Sequence, residues 1–138
     1  MTDVTAINDL RELCRRYLDE SSLTYLRDKD DNIVLPFDRI MVYVTPHAWG
    51  EDQTVVEVAA VIAEGMRIDA DLYEFLATQN AAILFGKLCV YPDFRQVRFE
   101  HPLLGDFLNR DELTTAVKVV AASALGYQSQ ITQRWGGQ

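Results

Sequence analysis

Ile83-Leu-Phe-Gly-Lys-Leu-Cys-Val-Tyr91, then Pro92-Asp-Phe-Arg95, then Gln96-Val-Arg-Phe-Glu100, is the stretch whose reading decides the fold. Two short apolar runs rich in β-branched and aromatic residues flank a polar, turn-prone break, which reads as a hairpin. The spacing predicts strands over 82–91 and 95–101. The lone Gly86 inside the first run marks a close backbone approach or a bulge. His101-Pro-Leu-Leu-Gly-Asp106 then reads as a loop, and Asn109-Arg-Asp-Glu112 opens a long amphipathic helix. Asn109 supplies a capping oxygen, and Glu112, three residues on, can reach back to it. Asp111 and Glu112 also suit the positive end of the helix dipole. Leu113, Ala116, Val117, Val120, Ala121 and Ala124 form an apolar stripe extending towards Leu125, small enough to lie close to a sheet. Arg134-Trp-Gly-Gly-Gln138 reads as a frayed tail. A hairpin, a loop and a capped helix without a nucleophile or metal cluster describe a binding scaffold rather than a reaction centre.

Upstream, Ile7, Leu10, Leu13/Cys14 and Tyr17/Leu18 recur at helical steps, with Thr2, Asp3 or Thr5 available as the cap. Leu23-Thr-Tyr-Leu26 and Ile33-Val-Leu35 surround the polar centre Asp28-Lys-Asp-Asp-Asn32, a second hairpin whose later arm Pro36 is expected to end. Arg39 to Thr45 reads as a strand and Pro46 to Asp52 as a connecting loop. Gln53 to Ala63 is the most apolar strand candidate, although periodicity alone does not exclude a helix there. Asp69 reads as the N-cap of a short helix over 69–79 carrying Leu72, Phe75, Leu76 and Gln79. The order is helix, three or four strands, helix, two strands, helix. Strands in short-loop succession predict an α+β fold with an antiparallel sheet, in one domain over residues 1–138.

With 49% hydrophobic residues, the 138-residue chain can bury a core without disulfides or metal staples. Its formal charge of −8, from 21 acidic and 13 basic residues, argues against a nucleic-acid partner or an anionic membrane surface. Residues 1–20 lack the apolar centre of a signal peptide, and no apolar run reaches membrane-helix length. Cys14 and Cys89 stand apart without ligand spacing, as small core residues of a cytoplasmic protein. The acidic loop 28–32 is not an EF-hand, because Ile33 and Arg39 stand where glycine and the final acid belong. His47 and His101, each beside a proline, lack a second ligand or a nucleophile, and the serines lie outside any nucleophile-elbow pattern. No cofactor, metal or catalytic residue is expected.

One pattern rises above this background. In the strands over 39–45, 53–63 and 83–91, both faces are apolar. A sheet with helices on one side should turn a polar face to water. Here the second face keeps Met41, Tyr43, Val55, Val61, Phe85 and Tyr91. Either the helix over 69–79 covers it, or another protein does.

The element order, together with Phe85-Gly-Lys-Leu, Val97-Arg-Phe-Glu-His-Pro-Leu-Leu-Gly-Asp106, Asn109-Arg-Asp-Glu-Leu113 and Asp-Asp-Asn-Ile at the first hairpin, resembles the YbjN-like family, which shares its fold with the type III secretion chaperones. Asn32 stands where many relatives carry glycine. The resemblance implies a small, acidic, often dimeric protein, described in relatives as a sensory transduction regulator or peptide-binding chaperone. It implies no catalytic residues, and for cyanobacterial members an assembly role for bodies such as carboxysomes. The expectation is thus a non-enzymatic cytosolic protein, likened to a chaperone or assembly factor, that holds a client segment as a homodimer. Met41, Tyr43, Phe85 and Tyr91 would make the protein-binding face, with Trp49 at its rim. The alternatives are a small-molecule-sensing regulator with a cavity between sheet and helices, a self-associating structural protein, or an enzyme built on His101 and Asp106.

Overall fold

A computed structural model describes residues 4–138 and realises the α+β order. Its elements are α1 (Val4–Glu20), β1 (Leu26–Arg27), β2 (Ile33–Phe37), β3 (Ile40–Trp49), β4 (Gln53–Glu64), α2 (Ala70–Ala82), β5 (Lys87–Tyr91), β6 (Gln96–Leu104) and α3 (Arg110–Trp135). The six strands form one antiparallel sheet in the order β1-β2-β3-β4-β6-β5. Thr2 and Asp3, two of the candidate caps of the first helix, lie outside the described residues, and Thr5 falls within α1.

The register puts alternate residues on opposite faces. Val42 pairs with Ala60 and Ala60 with Phe99, which in turn opposes Leu88. With Ile33, Leu35, Val44, Val56, Val58, Ile62 and Val97, these side chains are buried under the helices. Near the end of β4 the register shifts between Val61 and Ala63, so the adjacent Ile62 and Ala63 are both buried. The helical side of the core contains Leu10, Cys14 and Leu18 from α1, Leu72 and Leu76 from α2, and the expected stripe of α3 prolonged to Ile131 and Trp135. Ala116, Ala121 and Ala124 let α3 sit close to β4. Asn109 caps it: Oδ1 accepts from Glu112 N at 2.9 Å, and Nδ2 donates to Glu112 Oε1 at 2.8 Å. The reciprocal contact therefore runs through the asparagine side chain rather than its backbone.

The helix α2 lies in the same layer. Phe75 meets Tyr127 edge-on and Trp135 at a tilt, and Tyr127 donates to Gln79. Asp69 caps α2 through Leu72 N and also accepts from Trp135 Nε1 at 3.0 Å. So α2 does not cover the second sheet face. Its two buried leucines, one helical turn apart, both point into the core.

Several boundaries differ from the sequence reading for one reason. Pro36 does not end its strand, Pro46 begins no loop, and His101–Leu104 continue β6. Each proline has a partner on one flank only. Pro36 opposes Met41, but the pairing of β2 with β1 stops at Leu26↔Val34. Pro46 opposes Val56, beyond the last β2–β3 pair at Ile33↔Val44. Pro102 opposes Glu57, beyond Lys87↔Glu100 at the end of β5. A ring nitrogen without hydrogen is tolerated where no neighbour would accept from it.

The C-terminus is ordered by specific bonds. Arg67 N donates to Trp135 O at 2.8 Å, and Gln138 exchanges two backbone hydrogen bonds with Glu64. Trp135 is buried, so the expected frayed tail is instead the anchored end of α3. An indole followed by two glycines reads as loose in sequence, and only the partner surface of α2 and β4 shows otherwise.

Candidate functional site: an uncovered sheet face

The second face of the sheet carries the other set of alternating side chains, which form rows across the strands. Met41 on β3 leads towards Val61 and Arg98. The next row runs from Tyr43 to Ala59 to Glu100, then come Thr45, Glu57 and Pro102, and finally His47, Val55 and Leu104. None of the apolar members belongs to the core cluster or packs against it. Met41 is 45% exposed, Tyr43 37%, Leu104 51% and, at the end of β3, Trp49 52%. Ala59, small and central, leaves a depression of about 440 Å³ bordered by Tyr43, Thr45, Glu57, Val61 and Arg98.

Phe85 is not on this face. The strand β5 begins only at Lys87, because Gly86 takes a φ of 90° and breaks the alternation. Phe85 stacks on His101 with ring centroids 3.7 Å apart, on the helix side of the sheet and against the core. A small hollow of about 360 Å³ lies there among Phe85, Leu103 and Thr115, with Asp111 and Glu112 beside it. Burial lowers the His101 pKa and favours its neutral form. Asp106 accepts from Thr54 at 3.0 Å, so His101 and Asp106 are engaged separately.

Tyr91 is on the open face, at its β5 flank. Its hydroxyl donates to Glu100, as does the Cys89 thiol at 3.4 Å, and the Arg98 guanidinium lies 4.1 Å from the Tyr91 ring centroid. Glu100 is only 4% exposed although it belongs to the uncovered side. Burial first, then the adjacent carboxylate, raises the Cys89 pKa to about 11 and raises that of Tyr91 as well. Arg98 is held by Gln96 Oε1, which accepts from Nε at 2.9 Å and Nη2 at 2.6 Å. Glu57 and Ala59 share the alternation of Val55 and Val61 on β4, but sequence reasoning missed Arg98, Glu100 and Leu104 as parts of the face. Their alternation with Val97 and Phe99 was visible, but taking His101 onward as a loop hid the last of them.

The rims of the sheet are less available than its face. Asn80, from the last turns of α2, accepts from Leu88 N at 2.8 Å and donates to Leu88 O at 2.9 Å. A side-chain amide thus stands in for a neighbouring strand along β5. The opposite rim is the two-residue β1. The acidic loop before β2 is an Asx-type turn: Asp28 Oδ1 accepts from the backbone of Asp30 and Asn32, and those bonds hold the Asp28 carboxyl below its usual range. Arg15 of α1, itself buried, ties that turn down through Asp31. Among the described residues no group of three or more potential ligands is placed to hold a metal ion. No helix among them is long and apolar enough to cross a membrane.

The model of the family TY-Chap1, described as "T3SS (YopN, CesT) and YbjN peptide-binding chaperone 1", matches residues 8–138. The chain belongs to this family. Solved structures with the TY-Chap1 chain's fold include the ExsC–ExsE complex, at 15% identity and a TM-score of 0.69 over 94% of this chain and 97% of that one. The HopA1–SchA chaperone–effector complex matches at 10% identity and a TM-score of 0.64, over 96% of this chain and 99% of that one. YbjN from E. coli matches at 16% identity and a TM-score of 0.53, over 85% and 92% respectively. At these identities the likeness concerns the fold. No curated protein matches the sequence. The YbjN-like resemblance read from the residues is therefore correct at the level of the family.

Proposed function

We propose that this protein holds a segment of a client protein on the open face of its sheet, as a chaperone or assembly factor rather than an enzyme. The observation that carries the reading is an apolar face, separate from the core, that no element of the described chain covers. Membership of a peptide-binding chaperone family supports it. Met41 and Tyr43 supply the central contacts, Trp49 the end of the face and Tyr91 its β5 flank. Phe85, packed against His101, is left out of the binding surface. Strand addition at a rim is disfavoured by Asn80 and by the prolines, so recognition rests on side chains meeting the face. The reading extends to a homodimer in the cytoplasm, to be checked by sedimentation and fractionation.

The test is a Met41→Ser/Tyr43→Ser variant, probed with an array of extended peptides of varied apolar content. Both side chains are exposed and outside the core, so the unfolding free energy in urea should stay within about 0.5 kcal/mol of the parent for each change. Binding of the peptides retained by the parent should fall at least about fivefold. Unchanged binding, or a variant that unfolds, would show that the face is not the site.

A further inference from the structure

We infer that the face selects segments in which an arginine sits between apolar side chains, with Glu57 as the acceptor of its guanidinium. This rests on the face being the client site and specifies its chemistry. Glu57 projects from the middle of β4, two residues from Ala59 and directly opposite Thr45 and Pro102. It is half-buried, and among the described residues no hydrogen bond or ion pair engages its carboxylate. The depression beside it has Ala59 as its floor and the exposed Tyr43 ring as a wall. A planar guanidinium laid over Ala59 would meet the Tyr43 ring and reach Glu57 with paired N–H donors.

The other charges around the face favour the same occupant. Glu64 lines the depression, and Glu100 lies across from Ala59 with its oxygens taken by Tyr91 and Cys89. Of the cations, Arg98 is drawn towards the β5 flank by Gln96 and the Tyr91 ring, Lys87 lies at that flank, and His47 stands one row beyond Glu57. None is ion-paired with Glu57. The chain as a whole is −8, so a basic segment is attracted and an acidic one repelled. On either side of the depression, Met41 with Val61 and Val55 with Leu104 offer apolar seats. Side chains of an extended segment alternate. Val61 lies one row and Val55 two rows from Ala59 on β4, so an apolar, any, arginine, any, any, any, apolar pattern fills both seats with the arginine over Ala59.

The experiment uses two labelled heptapeptides with leucine at both ends and serine elsewhere, identical except for arginine or citrulline at the third position. Citrulline keeps the shape and removes the charge. Fluorescence anisotropy with the whole protein should show the arginine peptide bound about tenfold more tightly in low salt. The preference should shrink to under about twofold in Glu57→Gln and in roughly 0.5 M salt. It should persist in Asp93→Asn, which removes an equal charge elsewhere. Equal binding of both peptides, lost in Tyr43→Ser, would refute the arginine preference and leave the client-binding face standing. A preference that survives Glu57→Gln would refute the assigned acceptor. Binding of neither peptide, with a sedimenting dimer that Tyr43→Ser dissociates, would make a second copy the occupant and overturn both readings.

Discussion

Replacing Gly86 with alanine tests the hinge that separates β5 from Phe85. The residue has a φ of 90°, on the side that L-residues avoid, which costs a side-chain-bearing residue about 1–2 kcal/mol. A Cβ there would also overlap the Phe99 ring, 2.7 Å from Cζ and nearer still to Cε1, with Glu100 O at 3.2 Å. Phe99 is fully buried, so the ring must shift against a packed core, at about 1–3 kcal/mol. Together the two effects amount to roughly 2–5 kcal/mol, or a drop in Tm of about 10–20 °C for a chain of this size. Urea unfolding followed by the fluorescence of buried Trp135 provides the measurement. Gly126→Ala, in α3 with nothing near its added carbon, is the control and should gain about 0.5–1 kcal/mol. Combining Gly86→Ala with Phe99→Leu should cost less than the sum of the two, because the smaller side chain relieves the overlap. A loss under about 1 kcal/mol for Gly86→Ala, or strict additivity in the double variant, would refute the close approach to Phe99.

Two further outcomes follow from bonds already described. Asn80→Leu leaves Leu88 N–H and C=O without their side-chain partner, so it should cost about 1–3 kcal/mol and produce concentration-dependent self-association in sedimentation velocity; a monodisperse variant would show that Asn80 does not guard that rim. Asp69 accepts first from Leu72 N, then from Arg67 and Trp135, and its carboxyl is held below the usual aspartate range. The folded state therefore takes up that proton less readily than the unfolded one. The stability so gained is complete above a pH of about 3.9 and is lost as pH falls through the lower folded value. Urea midpoints across that acid range should fall less steeply for Asp69→Asn than for the parent, and parallel curves would contradict the assignment.

Much of the fold was legible because its signals are local. Ile7, Leu10, Cys14 and Leu18 mark α1 by their steps, Asn109 and Glu112 announce α3, and the alternation of Val56, Val58 and Ala60 sets the buried face of β4. What escaped depends on neighbours distant in sequence. Whether a proline ends a strand depends on which flank has lost its partner, as at Pro36, Pro46 and Pro102. Whether Phe85 continues the alternation of β5 depends on Gly86 meeting the Phe99 ring. Trp135 looked like part of a tail because Asp69, its hydrogen-bond partner, lies 66 positions earlier. The apolar second face was readable from Met41, Tyr43, Val55 and Val61 alone. That α2 leaves it bare required the packing of Phe75 against Tyr127 and Trp135.

The placement of the three strand prolines has a consequence for life in a crowded solution. In the proposed client-holding role the protein would meet loose backbone constantly, and any row of free amides would invite it to stack on as another layer, the first step towards a fibril. At the stretches where this sheet runs out of neighbours, the outward-facing position is occupied by a residue that accepts but cannot donate. Growth by stacking then lacks the alternating donors that would propagate it, while the broad side stays open to side chains.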